Sequence, residues 1–284
     1  MIVTLLRLLG RMPLAWLHRC GVLLGRMVYF ASPVYAARMR ENLAASGIFP
    51  DPETRERALR VSIGETGKAV LETAKVWFDD ESKVAQLVTC SEWPVVEAAR
   101  ASGRGIIFLT PHLGCFEISA LYVAQKMPLT VLYRPPRQRW LEPLVIRGRM
   151  RGQARVAPAT LRGVRSLYKA LQRGEAVGVL PDQAPQMGEG VWADFFGRPA
   201  YTMTLVRRLQ KQTGAVVLFA FAERLPQGRG YVLHFDAHEG DVLDERELNR
   251  AIENLIRRCP TQYLWSYNRY KVPKSADAPP GSDK

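Results

Sequence analysis

The sequence predicts an α/β fold: a central mixed sheet flanked by helices, with an N-terminal amphipathic membrane-associated helical segment. Three observations predict it. Short β-branched apolar runs bounded by Gly or Pro recur along the chain, as buried strands do. Longer segments of helical spacing sit between them, and strands alternating with helices argue a sheet with helices packed on it. The first forty residues are apolar but repeatedly interrupted by arginine.

In that opening segment Arg7, Arg11, Arg19 and Arg26 break every apolar run before it reaches membrane-spanning length. No small-residue cleavage site follows, so it does not read as a signal peptide. At 100° per residue, with Arg7 as zero, Arg11 falls at roughly 40° and His18 at roughly 20°, and Arg26 and Arg19 at roughly 100° and 120°. One side is therefore basic, while Leu5, Leu6, Leu9, Trp16, Leu17 and Leu24 fill much of the rest. This is the pattern of a helix lying in a membrane interface, arginines on anionic headgroups. A core helix with a basic rim is the competing reading. Pro13 kinks or divides the helix.

Next comes a helix over 54–77, with Leu59, Ile63, Val70 and Ala74 among its apolar positions, and another over 92–101, closed by Gly103 and Gly105. GIIFLT at 105–110 is a buried strand. Further strands are expected at 130–133, 176–180, 215–222 and 231–235, and helices at 115–126, 162–173 and 202–213. The last helix spans 244–258, where Asp244 and Glu247 cap the start and Leu248, Ile252, Leu255 and Ile256 form one apolar face. From Pro273 the chain is rich in Pro, Ser and Asp, a composition expected to be disordered. With no internal repeat or linker, the organisation reads as a membrane-associated segment over 1–45, one domain over 46–272 and a tail over 273–284.

Hydrophobic residues at 47% and charged residues at 24% are ordinary globular values, which excludes disorder and fibrous repeats. Lys+Arg 40 against Asp+Glu 27 leaves a net charge of +13, and a surplus of that size calls for an acidic partner. Nucleic acid is not expected, because no helix-turn-helix, finger spacing or RNP-like aromatic signature is present. A basic membrane-surface or nucleic-acid-binding protein without catalysis is the alternative of a different class. Cys20, Cys90, Cys115 and Cys259 are scattered with no C-x-x-C pair, so reduced thiols are expected, without disulfides or zinc.

The richest segment is Phe108-Leu-Thr-Pro-His112-Leu-Gly-Cys-Phe-Glu117. His112 stands where a strand turns into a helix, outside the carboxyl end of the strand, where α/β proteins place reactive groups. Glu117 would lie roughly 140° from His112 on an uninterrupted helix. The two meet only if His112 precedes the helix and the chain turns at Gly114. A carboxylate so placed would fix one imidazole tautomer and stabilise the imidazolium, leaving a general base for a substrate hydroxyl. The bland alternative is a loop histidine bonded to backbone, with Glu117 solvated. The spacing is not the H-E-x-x-H of zinc hydrolases, so no metal is expected. Cys115 is better read as packing than as a nucleophile. Asp182 at a strand end would bond neighbouring backbone or an arginine, or simply form a turn after Pro181.

The segment His112 to Glu117 resembles the H-x4-D/E motif of glycerolipid acyltransferases, and more closely the lipid A biosynthesis acyltransferase family. Further stretches match that family in order: Tyr133-Arg134-Pro135, Gly148-Arg149-Met150-Arg151, Pro181-Asp182-Gln183 and Phe196-Gly197-Arg198-Pro199-Ala200 with Thr202. So do Arg38-x-Arg40-Glu41-Asn42 after the leucine-rich N-terminus and the closing segment Pro260 to Lys271. The resemblance covers residues 1–272. Two departures are Phe116, where Trp is common, and Ser266-Tyr-Asn in place of a more basic stretch.

The resemblance implies a glycerolipid-acyltransferase-like fold and acyl transfer from an acyl carrier protein thioester, or acyl-CoA, to a hydroxyl of a lipid A precursor. No other cofactor and no acyl-enzyme are implied. His112 would be the base and Glu117 its partner. Arg149 would serve the oxyanion or a phosphate, Arg134 a phosphate, and Asp182 and Gln183 would structure the site. It also implies the cytoplasmic face of the bacterial inner membrane, reached peripherally or through a single N-terminal anchor, with anionic lipid as a partner. The arginine-rich stretch from Arg134 to Arg165 is where the acidic partner would dock. Glu117 rather than Asp tilts the acceptor towards lipid A, with a lysophospholipid or other lysolipid as the alternative.

Overall fold

The computed structural model describes residues 2–136 and 138–274. Helix α1 (Ile2–Arg11) stops short of Pro13 and α2 (Leu14–Ala31) starts after it, so the break lies where proline predicts it. Ser32 caps α3 (Pro33–Ala45) by accepting from the Tyr35 N–H, and α2 and α3 are bent by 104°. Asp51 caps α4 (Pro52–Phe78) through the Thr54 N–H, over the span that the apolar spacing predicts. No single described helix is long and apolar enough to cross a membrane, although α2 and α3 together reach that length and composition.

Helix α2 packs on α4 along a glycine seam: a Cβ on Gly21, Gly25 or Gly67 would collide with the opposing backbone. The seam buries Leu14, Leu17 and His18. His18 therefore departs from the exposed basic stripe on which the helical projection placed it. Its ring bonds Glu72 of α4 at 2.5 Å, because a buried carboxylate in an apolar seam requires hydrogen-bond donors.

Helix α5 (Glu81–Ala85), strand β1 (Val88–Thr89) and α6 (Trp93–Ala101) lead into β2 (Ile106–Leu109) and α7 (Phe116–Lys126). Then follow β3 (Leu129–Tyr133), α8 (Glu142–Arg149), β4 (Ala154–Pro158), α9 (Leu161–Gln172) and β5 (Ala176–Val179). After a hairpin of β6 (Gly190–Phe195) and β7 (Arg198–Met203) come α10 (Leu205–Thr213), β8 (Val216–Arg224), β9 (Tyr231–Ala237) and α11 (Glu245–Arg258). The main sheet has the order β1-β9-β8-β2-β5-β3-β4. Every neighbouring pair is parallel except β8–β9, so the sheet is mixed, as the expected fold class has it; the alternation of strands and helices accounts for its parallel part. All four residues of β2 are buried at its centre, which accounts for the unbroken apolar run GIIFLT.

The sequence pattern misses α5, β1, β4, α8 and the hairpin. β1 has only two residues, and Arg155 interrupts the apolar run of the edge strand β4. The hairpin turns at Phe196 and Gly197, both at positive φ, and phenylalanine gives no turn signal. Thr202 and Met203 belong to β7, so the helix expected from 202 begins at Leu205. The tail expected to be disordered, 273–284, lies outside the described residues apart from Pro273 and Lys274.

Candidate active site

Strands β2 and β5 are parallel neighbours with Leu109 opposite Val179, so the segments leaving their carboxyl ends emerge side by side. The Thr110 N–H still bonds the Val179 carbonyl at 3.0 Å. Beyond it the two chains carry His112 and Asp182 into contact. Asp182 accepts the His112 backbone N–H at 2.9 Å through Oδ2, and its Oδ1 lies 2.8 Å from Nδ1 of the ring. A carboxylate offers acceptors only, so Nδ1 carries the proton and Nε2 carries the lone pair that can act as a base. The carboxylate is almost fully buried, and the ring retains 14% exposure. Burial alone would raise the Asp182 carboxyl. The imidazole and the backbone N–H overcome it and hold Asp182 below the usual carboxylate range.

The turn at Gly114 that places His112 ahead of α7 is present, with φ at 60°, and a Cβ there would collide with the Ala222 carbonyl. Adjoining strands and the C-terminal segment clamp this turn. The Gly114 N–H bonds the Gln262 carbonyl at 3.1 Å, Cys115 N–H the Ala222 carbonyl at 2.9 Å, and Leu264 N–H the His112 carbonyl at 3.0 Å. Gln262 is itself locked to the β8 backbone: its amide donates to the Arg224 carbonyl at 2.9 Å and accepts the Arg224 N–H at 2.8 Å. Asn42 ties the same segment to α3 by donating to the Trp265 and Tyr267 carbonyls.

Glu117 does not hold the imidazole, which corrects the expectation drawn from the H-x4-E spacing. It lies on the first turn of α7, and Asp182 already meets the ring from β5. Glu117 instead pairs with Arg149 from α8. Nε of the guanidinium lies 3.1 Å from each carboxylate oxygen, and Nη2 also donates to Oε1. Trp77 completes the pair by donating Nε1–H to Oε2 at 3.0 Å, with the guanidinium over its ring. A side chain at position 148 would collide with that ring, which is why glycine precedes Arg149. Burial would lower the Arg149 pKa, but the Glu117 charge raises it above its ordinary value.

Gln183 reaches the site as well: its amide nitrogen is 3.1 Å from Nε2 of His112. Arg134 is exposed and follows β3, the neighbour of β5 in the sheet. Of the arginine-rich stretch, Arg134, Arg139, Arg147, Arg162 and Arg165 are exposed, whereas Arg151 turns inward onto the Val76 and Asp79 carbonyls. Arg137 lies outside the described residues. The Cys115 thiol is buried, and burial pushes its pKa well up, so it is a protonated thiol packed under the turn.

A small apolar cavity of about 30 Å³ lies behind the site between α7 and the sheet, lined by Phe108, Phe116, Ser119, Leu129 and Gly178 among others. The Phe116 ring at its edge is 4.9 Å from the His112 ring. Among the described residues no group of three or more His, Cys, Asp or Glu is placed to hold a metal ion. Trp77 and Gln262 were not singled out as site residues from sequence. Gln262 lies in the closing motif and was available as a signal, whereas nothing local marks Trp77.

A family model described as bacterial lipid A biosynthesis acyltransferase matches residues 1–272. Among curated proteins, the chain is 29% identical to the lipid A biosynthesis palmitoleoyltransferase of Escherichia coli (strain K12) over 247 residues, covering 83% of this chain and 80% of that protein. It is 26% identical to the lipid A biosynthesis lauroyltransferase of the same organism over 279 residues, or 95% and 90% of the two chains. The corresponding myristoyltransferase is 22% identical over 272 residues, or 91% and 83%.

Proposed function

Because the chain belongs to the bacterial lipid A biosynthesis acyltransferase family, we propose that it transfers a fatty acyl chain from an acyl carrier protein thioester to a hydroxyl of a lipid A precursor. It is thus read as an O-acyltransferase with His112 as general base. The observation that carries the mechanism is the His112–Asp182 pair, which leaves a basic Nε2 at a partly open strand end. Nε2 takes the proton of the acceptor hydroxyl as its oxygen attacks the thioester carbonyl. The Asp182 carboxylate stabilises the imidazolium without taking its proton. The tetrahedral intermediate collapses with cleavage of the C–S bond, and the imidazolium returns the proton to the leaving thiolate.

Glu117 acts one step removed in this reading. It orients Arg149, whose guanidinium serves the developing oxyanion or a phosphate of a substrate, as a rigid planar donor set does well. Arg134 is assigned to a phosphate of the acceptor. Arg134, Arg139, Arg147, Arg162 and Arg165 form the basic approach for the acidic carrier protein and the anionic lipid.

Attachment to the cytoplasmic face of the inner membrane belongs to the same proposal, and α1 and α2 support a membrane-surface contact. They expose Leu5, Leu8, Trp16, Leu23, Met27 and Phe30 in company with Arg7, Arg11, Arg19 and Arg26. Apolar side chains at the acyl boundary with arginines at headgroup depth are what an interfacial helix needs.

The test is mass spectrometry of lipid products. Purified wild type and His112→Ala are given acyl carrier protein or coenzyme A thioesters with a lipid A precursor or a lysophospholipid. A gain of one acyl chain on the precursor alone, lost in the variant, is expected. Acylation of the lysophospholipid instead moves the activity to the lysolipid branch, and a His112→Ala enzyme of near-normal turnover refutes the base.

A further inference from the structure

The lone pair that makes His112 a base is occupied by the protein itself. Both oxygens of Asp182 accept N–H groups of His112, so Nδ1 is protonated and Nε2 can only accept. The group 3.1 Å from Nε2 is the Gln183 amide nitrogen, which donates to it. Both neighbours of Gln183 are anchored. The Asp182 carboxylate makes two bonds to His112, and the Ala184 N–H bonds the Tyr267 hydroxyl at 3.1 Å. A swing of the Gln183 side chain releases the bond on Nε2 without moving these anchored neighbours.

We propose that Gln183 is a specificity-determining residue that reserves His112 for the acceptor hydroxyl and against water. The inference rests on the acyl-transfer reading above. In an enzyme that activates a hydroxyl next to a thioester, water is the competing nucleophile. Nε2 would take a proton from water, the water oxygen would add to the thioester carbonyl and the C–S bond would break. The imidazolium would then protonate the thiolate, giving a free fatty acid and a thiol. Any nucleophile reaching Nε2 must first displace the Gln183 amide. An acceptor held by its other contacts, such as phosphates on the site arginines, displaces that one bond with binding energy from remote groups. Water has no remote groups. A neutral hydrogen bond kept against water corresponds to a preference of about two- to tenfold, and the cap disfavours hydrolysis by that factor.

The experiment follows free fatty acid and acylated precursor together, with the full chain, an acyl carrier protein thioester and a lipid A precursor, and repeats the thioester alone. Gln183→Ala is expected to raise the ratio of hydrolysis to transfer by about two- to tenfold, with hydrolysis of the thioester alone rising in absolute rate. Gln183→Asn, one methylene shorter, is expected to behave as the alanine variant. Gln183→Glu supplies a readout that a structural role would not move. Its carboxylate cannot donate to Nε2 but accepts from the protonated ring, so the acid limb of both reactions shifts to higher pH. An unchanged ratio in Gln183→Ala, or an equal fall in both reactions, overturns the inference while leaving acyl transfer by the wild type in place. A wild type that neither transfers nor hydrolyses overturns both readings.

Discussion

Replacing Asp182 by Asn discriminates a positioned general base from an incidental histidine. The aspartate accepts two N–H groups at once, from the His112 backbone at 2.9 Å and from Nδ1 at 2.8 Å. Asparagine has one acceptor oxygen and must turn its NH2 to one of the two donors. If the NH2 faces Nδ1, the ring moves its proton to Nε2 and the base is lost. If it faces the backbone N–H, a buried donor is left unsatisfied, a cost of about 1–3 kcal/mol. Even the second arrangement lacks the negative charge opposite the imidazolium, and a charge-assisted bond contributes about 1.5–3 kcal/mol, or roughly 10- to 150-fold in rate. The wrong tautomer costs more, on the order of 10⁴ for the same substitution in a Ser-His-Asp triad. The expected fall in kcat is therefore on the order of 10²–10⁴, read as initial rates of precursor acylation across pH, with a melting curve to verify folding. A folded Asp182→Asn enzyme within about tenfold of wild type would refute the role of Asp182.

Three further outcomes are expected. Glu117→Gln removes the charge that orients Arg149, so kcat/KM falls on the order of 10², and the acid limb of the pH profile stays in place because Glu117 does not touch His112; a shifted limb would contradict the assignment. Gly114→Ala forces a Cβ onto the Ala222 carbonyl at a residue with φ of 60°, which should cost about 1–3 kcal/mol by denaturant titration and remove most activity. Burial would raise the Glu72 carboxyl, but the Arg224 charge and the His18 and Arg224 hydrogen bonds hold it well below the carboxylate range. Its folded pKa lies below the unfolded value of about 4.3, so its contribution is complete above that pH and is lost as pH falls further. Glu72→Gln should cost about 3–5 kcal/mol at neutral pH and flatten the acid side of the melting-temperature profile.

The sheet was legible because its central strands are buried on both faces and leave unbroken apolar runs, as Ile106–Leu109 does. Edge and hairpin strands carry no such run, and Arg155 and Phe196 each mask one. His112 stood out by its place between a buried strand and a helix. A loop histidine bonded to backbone fits that place equally well, and it was the ordered motifs shared with the family that singled it out. Its carboxylate partner was not legible. Glu117 and Asp182 are both acidic residues near strand ends, and the choice between them depends on β5 lying beside β2, a pairing between segments some seventy residues apart. Local spacing favoured the neighbour in sequence, while sheet order delivered the neighbour in space. Trp77 was invisible for the same reason, since it closes the Glu117–Arg149 pair from the end of α4.

The same long-range logic joins the N-terminal helices to the chemistry. His18 of α2 bonds Glu72 of α4, and Glu72 receives two further bonds from Arg224 of β8, at 2.6 and 2.7 Å. Arg224 is the residue whose backbone N–H and carbonyl hold Gln262, and Gln262 holds Gly114 in the turn that carries His112. A buried carboxylate with three donors cannot lose one of them cheaply, because the remaining charge has no water to replace it. Removing α1 and α2 would therefore strip Glu72 of His18 and uncover the glycine seam on α4, disturbing the fold together with any lipid contact. The lipid-facing role proposed for these helices is separable only at their exposed side chains. Exchanging Leu23, Met27 and Phe30 for polar residues leaves the seam and the buried charges intact. A loss of vesicle binding with acyl transfer in detergent retained is therefore expected if the proposed membrane contact is made there, and unchanged vesicle binding would refute it.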